Sequence, residues 1–294
     1  MSGDGNFAAA LESYRKTFEA RGVKPEPEKP APKAKVVQLR IWPEAVRGVP
    51  NSFLRSALFA AVQGKTRRYL KNELLGALDG VSVKFTGMQL DQSDLDVWEQ
   101  IAHLARLHPL GNVCHFKANA FLKAIGRSTG KANYKWFDDT LARIGACEVE
   151  IKSGSRAYNG NLFHGRWRDE ETREYKVVLN PTIAALFCGD DWTGIQFDER
   201  LALKGKPLAL WLHGFYSSHA RPFAMKVETL RDLSGGTNKD MRDFKRKLKA
   251  AFDDLGGIAG INATFDGDLV SVTRKPSKSQ GKHLAKKAPR KRAK

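Results

Sequence analysis

Four cations, Lys239, Arg242, Arg246 and Lys249, recur at steps of three or four along the sequence. On a helix such residues are surface neighbours, so they would lie largely on one side. Arginine and lysine there can donate to the edges of guanine or hold phosphates. Asn238, just ahead of them, joins the candidates for base or phosphate contact. A second set, Lys131, Asn133, Lys135 and Arg143, is offset by Asp138 and Asp139. Backbone contact rather than base reading is expected of it. The plain alternative for either set is an ordinary solvated face, common on surface helices.

Other chemistry is thin. Gly126-Arg127-Ser128-Thr129-Gly130-Lys131 is one residue short of the phosphate-loop spacing, and Ala132 stands where a serine or threonine would hold magnesium. No parallel strand is read before it, so it is taken as a turn between helices. Neither H-E-x-x-H nor G-x-G-x-x-G occurs. Asp91, Asp94 and Asp96 crowd a helix start, where the dipole favours acids, and no other ligand cluster lies near them in sequence. The histidines form no ligand spacing and no base–nucleophile pair. The expectation is a protein without catalysis, metal or cofactor.

Composition bounds the partner. The 294 residues carry 50 Lys and Arg against 32 Asp and Glu, a formal charge of +18. Ten of those cations, with no acid, lie in residues 274–294; the +18 less these ten still leaves +8. A polyanion is implied, nucleic acid before an anionic membrane. Cys114, Cys147 and Cys188 are too widely spaced for a metal pair or a disulfide framework, which suggests a reducing compartment. No signal peptide and no membrane-length apolar run is read, so a cytoplasmic protein is expected.

The cations need elements to hold them. Phe223, Met225 and Val227 alternate like a strand, and residues 228–234 suit a short helix with Leu230 and Leu233 inward. Gly235-Gly236-Thr237-Asn238 breaks it, and Thr237 or Asn238 can cap the next helix. That helix, 239–255, places Met241, Phe244, Leu248, Phe252 and Leu255 on one face, and Gly256-Gly257 should end it. Residues 258–264 and 269–273 read as strands around an Asp266-Gly267-Asp268 turn. Helix, turn, basic helix and hairpin is the layout of a winged helix-turn-helix.

The same order occurs upstream. A helix is expected over 117–125 and another over 131–144, followed by wing strands at 147–151, 161–167 and 175–179. FLKAIGRSTGKANYKWFDDTLARIGA parallels TLRDLSGGTNKDMRDFKRKLKAAFDDLGG in pattern rather than identity. Before it come helices at 51–62 and 93–107 and strands at 81–85 and 113–116; a core helix over 204–218 opens the second unit. The fold class is α+β, two tandem winged-helix domains with extended N-terminal and C-terminal tails. The divisions are residues 1–35, a helix at 7–20 and a proline-rich linker at 24–35; 36–188, the first domain; 189–274, the second; and 275–294, a basic tail expected to be disordered. Residues 36–43, VVQLRIWP, are open to two readings, an exposed linear motif or a first strand packed on the domain; spacing alone leans to the strand.

RIWPEAVRGVPNSFLRSALFAA, LDQSDLDVWEQIAHLAR and the GRSTGK helix pair resemble the TrfA replication initiators of broad-host-range bacterial plasmids, over residues 36–274. The resemblance implies two winged-helix domains that bind iteron repeats at a plasmid origin as a monomer, a homodimer being inactive. It implies help in melting an AT-rich element, contact with its single-stranded DNA, and recruitment of the host initiator, helicase, polymerase parts and sliding clamp. Gln38, Leu39, Ile41 and Trp42 then look like the family's clamp-binding peptide, with Arg40 in place of a small polar residue. An extended peptide of this kind lays its apolar side chains in a groove of the partner. A transcriptional repressor built from the same domains is the alternative, and a relaxase or nuclease a third reading.

Overall fold

The chain enters its first core at Leu39 and Trp42, both buried, while Ile41 between them is 72% exposed. The computed structural model describes Lys16, Leu39 and residues 41–62, 67–78, 80–108, 112–154, 156–187, 191–238 and 240–287. The expected helix at 7–20 (Lys16, which is helical, apart), the linker at 24–35, and Gln38, Lys239 and Cys188 lie outside the described residues. Val37–Lys294 forms one compact unit with two hydrophobic cores.

Strand β1 (Val46–Pro50) leads into a single helical turn, α1 (Asn51–Leu54), then β2 (Phe59–Ala60), β3 (Tyr69–Leu75), β4 (Val81–Met88) and β5 (Leu90–Asp91). The helix expected over 51–62 stops at its first turn, because other partners take the backbone groups. Ser56 Oγ donates to Ser52 O at 2.7 Å, Ala57 N donates to Gly76 O at 2.7 Å, and Ala61 N to Ser234 O at 2.7 Å. Apolar periodicity identified the buried residues here but not the backbone path.

Helix α2 (Gln92–Ala105) has its start set by Asp91, whose carboxylate accepts from Ser93 N and Asp94 N while Asp94 reaches back to the Asp91 N–H. It is buried almost all round. Trp98 meets Phe53 edge-on at 4.8 Å, and the other side carries Gln92, Glu99, Gln100, His103 and Arg106, also buried.

Next come β6 (Val113–Lys117), α3 (Ala118–Ala124), α4 (Lys131–Gly145), β7 (Glu148–Ser153), β8 (Arg156–Gly160), β9 (Phe163–Arg168) and β10 (Glu174–Leu179). The three expected wing strands do not form one sheet. β7 joins the four-stranded sheet β3-β4-β7-β8, whereas β9 and β10 pair with β6 in the order β6-β10-β9. Phe116, Phe121, Phe137 and Tyr175 pack between this smaller sheet and its helices. Burying each side chain contributes about 1.5–3 kcal/mol.

A 3-10 stretch (Pro181–Phe187) and β11 (Trp192–Gln196) follow. β11 pairs with β1, so Trp192 and Ile195 belong to the first core. Then α5 (Phe197–Ala202) crosses to α6 (Pro207–Ser217), β12 (Met225–Lys226), α7 (Val227–Leu233), α8 (Met241–Ala259), β13 (Asn262–Asp266), β14 (Leu269–Thr273) and α9 (Lys278–Lys287). Here the sheet order is β12-β14-β13. Both small sheets thus place their third strand in the middle and two helices between the first and second strands. The fold is mixed α/β, and no described helix is long and apolar enough to cross a membrane.

Three boundaries differ from expectation. α8 runs through Gly256-Gly257 to Ala259 because Ile258 and Ala259 pack on the second core, which offsets the roughly 1 kcal/mol helix cost of each glycine. Its N-cap is Asp240, not Thr237 or Asn238, and its stop is Gly260 in the left-handed conformation. The alternation at Phe223 is not a strand there: Phe223 is exposed, and only Met225 and Lys226 pair with β14. The expected disordered tail contains helix α9, held by Gln280 Nε2 donating to Ser217 O at 2.8 Å and by Arg274 Nη1 donating to Gln280 Oε1 at 2.9 Å.

His219 sits at that junction. Its Nδ1 donates to Phe215 O at 2.7 Å, and its buried Nε2 has no partner. Burial lowers its pKa to about 4, and the charges of Arg55 and Arg274 add to the effect. Native His219 therefore stays neutral where the unfolded side chain, near 6.5, takes a proton. Its contribution is complete above pH 6.5 and is lost as pH falls towards 4, a decline of up to about 3 kcal/mol. Glu99 and Asp94, raised by burial, act in the opposite sense. The comparison is therefore between wild type and His219→Gln: the variant should show the flatter fall in melting temperature from pH 6.5 to pH 4.5.

Candidate nucleic-acid interface

The glycine turn before α8 is set by packing. Gly235 has φ +69, and a Cβ on it would come 2.7 Å from Ala60 Cβ. A side chain there would be strained and would clash with β2. The turn delivers α8 with Phe244, Leu248, Phe252 and Leu255 buried and its other side in solvent.

On the solvent side Arg242 is exposed, and among the described residues no ion pair engages it. Asp243 gathers its neighbours: Arg246 Nη2 donates at 2.7 Å, Lys247 Nζ lies at 2.7 Å, and Asn238 Nδ2 donates at 2.9 Å. Hydrogen bonds from Lys247 and Arg246 hold the Asp243 carboxyl below its ordinary range. Arg246 nevertheless stays exposed, and Lys249 lies 5.3 Å from the Phe265 ring of the hairpin. Lys245, absent from the sequence reading, ties the helix to the hairpin tip through Asp268 at 2.9 Å and the Gly267 carbonyl. Helix and hairpin tip are thereby tied together, the cations all coming from the helix.

The first unit differs. The turn at Gly126 (φ +69) does join two helices. Its five residues also spell G-x-S-x-G. They link helix to helix rather than strand to helix, and Ser128 Oγ accepts from Asn133 Nδ2 at 2.8 Å, so the strained elbow of a serine nucleophile is not built. Lys131 and Lys135 are exposed, the latter 3.9 Å from Asp139. Asn133 is half-buried and turned back on its own turn.

Arg143 requires a correction. Its side chain is only 12% exposed and is directed inward at Asp94, Nη2 donating at 2.5 Å. Arg67 joins from the other side, donating to Asp94 at 2.9 Å and to Asp91 at 2.5 Å. Burial raises the Asp94 carboxyl and the Arg143 hydrogen bond opposes the rise. Arg143 neutralises a buried acid and is not part of the outward basic face. The acids Asp91, Asp94 and Asp96 are all engaged by arginines, Asp96 by Arg200 at 2.6 Å.

The clamp-like peptide is also folded in. Trp42 stacks on Phe187 at 5.7 Å, and its Nε1 donates to His103 Nδ1 at 3.1 Å. His103 Nε2 then donates to Glu44 at 2.9 Å. Hydrogen bonds from His103 and Arg106 pull the Glu44 carboxyl down to about 2. Of the three described members of the peptide, only Ile41 is offered to solvent.

Residues 32–274 match the TrfA protein family. The chain belongs to that family. A plasmid replication initiator protein TrfA from Escherichia coli is 26% identical over 242 residues, 79% of this chain. The alignment takes in 63% of that relative's length. Among solved structures, domains 2 and 3 of RctB resemble this TrfA-family fold with a TM-score of 0.54 at 14% identity, over 76% of this chain and 96% of that one. A Pi initiator protein in complex with iteron DNA gives a TM-score of 0.47 at 14% identity, over 63% of this chain and 94% of the other.

Proposed function

We propose that this TrfA-family protein is a plasmid replication initiator in which two tandem winged helices, α3–α4 with β9–β10 and α7–α8 with β13–β14, bind iteron DNA. The observation that carries the reading is Arg242, an exposed guanidinium with no ion pair among the described residues, on the solvent side of α8 beside a hairpin tied to the same helix. Asn238, Lys239, Arg246 and Lys249 would complete the contact, with Lys131, Asn133 and Lys135 as backbone contacts in the first unit. The protein would act as a monomer in the cytoplasm, without catalysis or cofactor. It would help to open an AT-rich element and recruit host initiator, helicase and sliding clamp, a homodimer being the inactive form.

Arg242→Ala should weaken binding to the origin repeats by roughly 5- to 150-fold, the span of one good bidentate contact, and binding to random duplex much less. Fluorescence anisotropy at one fixed salt concentration measures both. Equal losses on specific and random DNA would sink the base-reading role. A plasmid bearing only the cognate origin that fails to replicate in the presence of the protein would favour a repressor. Nicking of origin DNA with magnesium would favour a relaxase.

A further inference from the structure

The outward face of the sheet β6-β10-β9 holds a feature that duplex binding leaves unused. Cys114, Phe116, Tyr175 and Val177 face α3 and α4, so alternation turns His115, Lys176 and Trp167 outward. These three stand opposite one another in register and form a row across all three strands. Trp167 is 56% exposed. Its ring lies over Gly165, where a Cβ would come within 2.9 Å of it, and Lys176 Nζ sits 5.3 Å from its centroid. A concavity of about 350 Å³ adjoins the indole, with Lys117, His115 and Lys176 on its walls.

The charges around the concavity balance, Lys117 and Lys176 against Glu174 and Asp169, and Lys176 is the cation set beside the indole. Glu174 is paired with Lys117 at 3.4 Å, and Asp169 accepts the Glu171 and Thr172 backbone N–H groups at 2.9 and 2.7 Å. The second small sheet has no counterpart: its outward β13 and β14 positions include Thr264 opposite Ser271. A solvated indole with Lys176 beside its ring suits a base stacked on the π-face with a phosphate next to it, as in platforms for single-stranded nucleic acid. Bases within a duplex are already stacked and cannot lie on it.

We propose that Trp167, with Lys176 and His115, is a stacking platform for an unpaired nucleobase and that this sheet face holds single-stranded DNA. The site is separate from the α8 surface, and the proposal rests on the origin-opening part of the proposed function. The test uses the full chain and a labelled oligothymidylate of about 15 nucleotides, within the range of known single-strand footprints. Trp167→Ala should bind it about tenfold more weakly, as expected for one lost stacked base. Trp167→Phe should recover most of the affinity and Lys176→Glu should lose it, and the loss in Trp167→Ala should be several-fold larger on the oligonucleotide than on duplex origin repeats. A Trp167→Ala chain that holds the oligonucleotide like wild type overturns the platform and leaves a protein as the occupant of this face. If wild type binds duplex repeats but not the oligonucleotide, the single-strand reading falls and the platform with it, with duplex recognition intact.

Discussion

Arg200→Ala is expected to cost the fold about 3–5 kcal/mol, the usual result of removing one partner of a buried ion pair. Arg200, on α5 between the two cores, is fully buried and reaches back to α2. It donates to Asp96 at 2.6 Å and to the Gln92 carbonyl at 3.0 Å, and its Nε lies 3.0 Å from Glu99. Burial opposes its charge, but Asp96 and Glu99 together hold the guanidinium above its ordinary pKa. The Glu99 carboxyl is raised by desolvation even with this cation beside it. Without Arg200 it would be raised further. A carboxyl raised above its unfolded value supports the fold at pH below the unfolded pKa and stops doing so as pH climbs through the folded one. The variant's loss should therefore be greater at pH 8 than at pH 5.5. Glu99→Gln placed on top of it should recover part of the stability and remove the pH dependence. Thermal melts would read this as a drop of roughly 10 °C for a chain of this size. An Arg200→Ala melt within 2–3 °C of wild type at pH 8 would mean that the pair does not hold α5 to α2.

Trp42→Ala should cost a similar amount, about 3–5 kcal/mol, as for other large aromatics removed from a core. Its ring fills the space between Phe187 and Trp192, and its loss leaves His103 without the indole donor. The effect complicates the usual test of the clamp reading, since a Trp42 variant that fails to bind a sliding clamp would also be destabilised. Ile41 separates the two. It is exposed, so Ile41→Asp should leave the melting temperature within about 1 °C of wild type, as surface changes usually do. If residues 38–42 engage a clamp groove, that variant should lose capture by the immobilised clamp. Full capture by Ile41→Asp would remove these residues from clamp binding. If capture is lost, Leu39 and Trp42 must leave the core to bind, and clamp binding would then compete with folding of this segment.

Much of the second unit was legible in the residues. The apolar stripe Phe244, Leu248, Phe252 and Leu255 set the inward face of α8, and the hairpin turn at Gly267 ended where its residue types indicated. What could not be read there was the helix end, because Gly256-Gly257 is a stop signal only when nothing beyond it is worth burying. Lys245 could not be told from Arg242 either. Both are cations on one helix, and only the position of Asp268 makes Lys245 a strut and leaves Arg242 exposed.

The first half was harder for the same reason. Arg143 carries the same charge as its neighbours on α4, yet a buried Asp94 forty-nine residues earlier draws it inward. The clearest missed signal was α2, where Gln92, Asp96, Glu99, His103 and Arg106 recur at steps of three or four opposite Leu95, Trp98 and Ile101. Two stripes on one helix, one apolar and one polar, are what a helix packed on both sides would carry, with Arg200 as the distant partner of the polar one.

Local order of elements, the faces of the long helices and the basic character of the chain followed from the sequence, because periodicity and charge act over a few residues. Which strands share a sheet, which arginines face solvent and whether Trp42 is offered or stored depended on tertiary structure. Those outcomes turn on groups brought together from about fifty to a hundred and fifty residues apart, where desolvation makes a paired buried charge tolerable and an unpaired one costly.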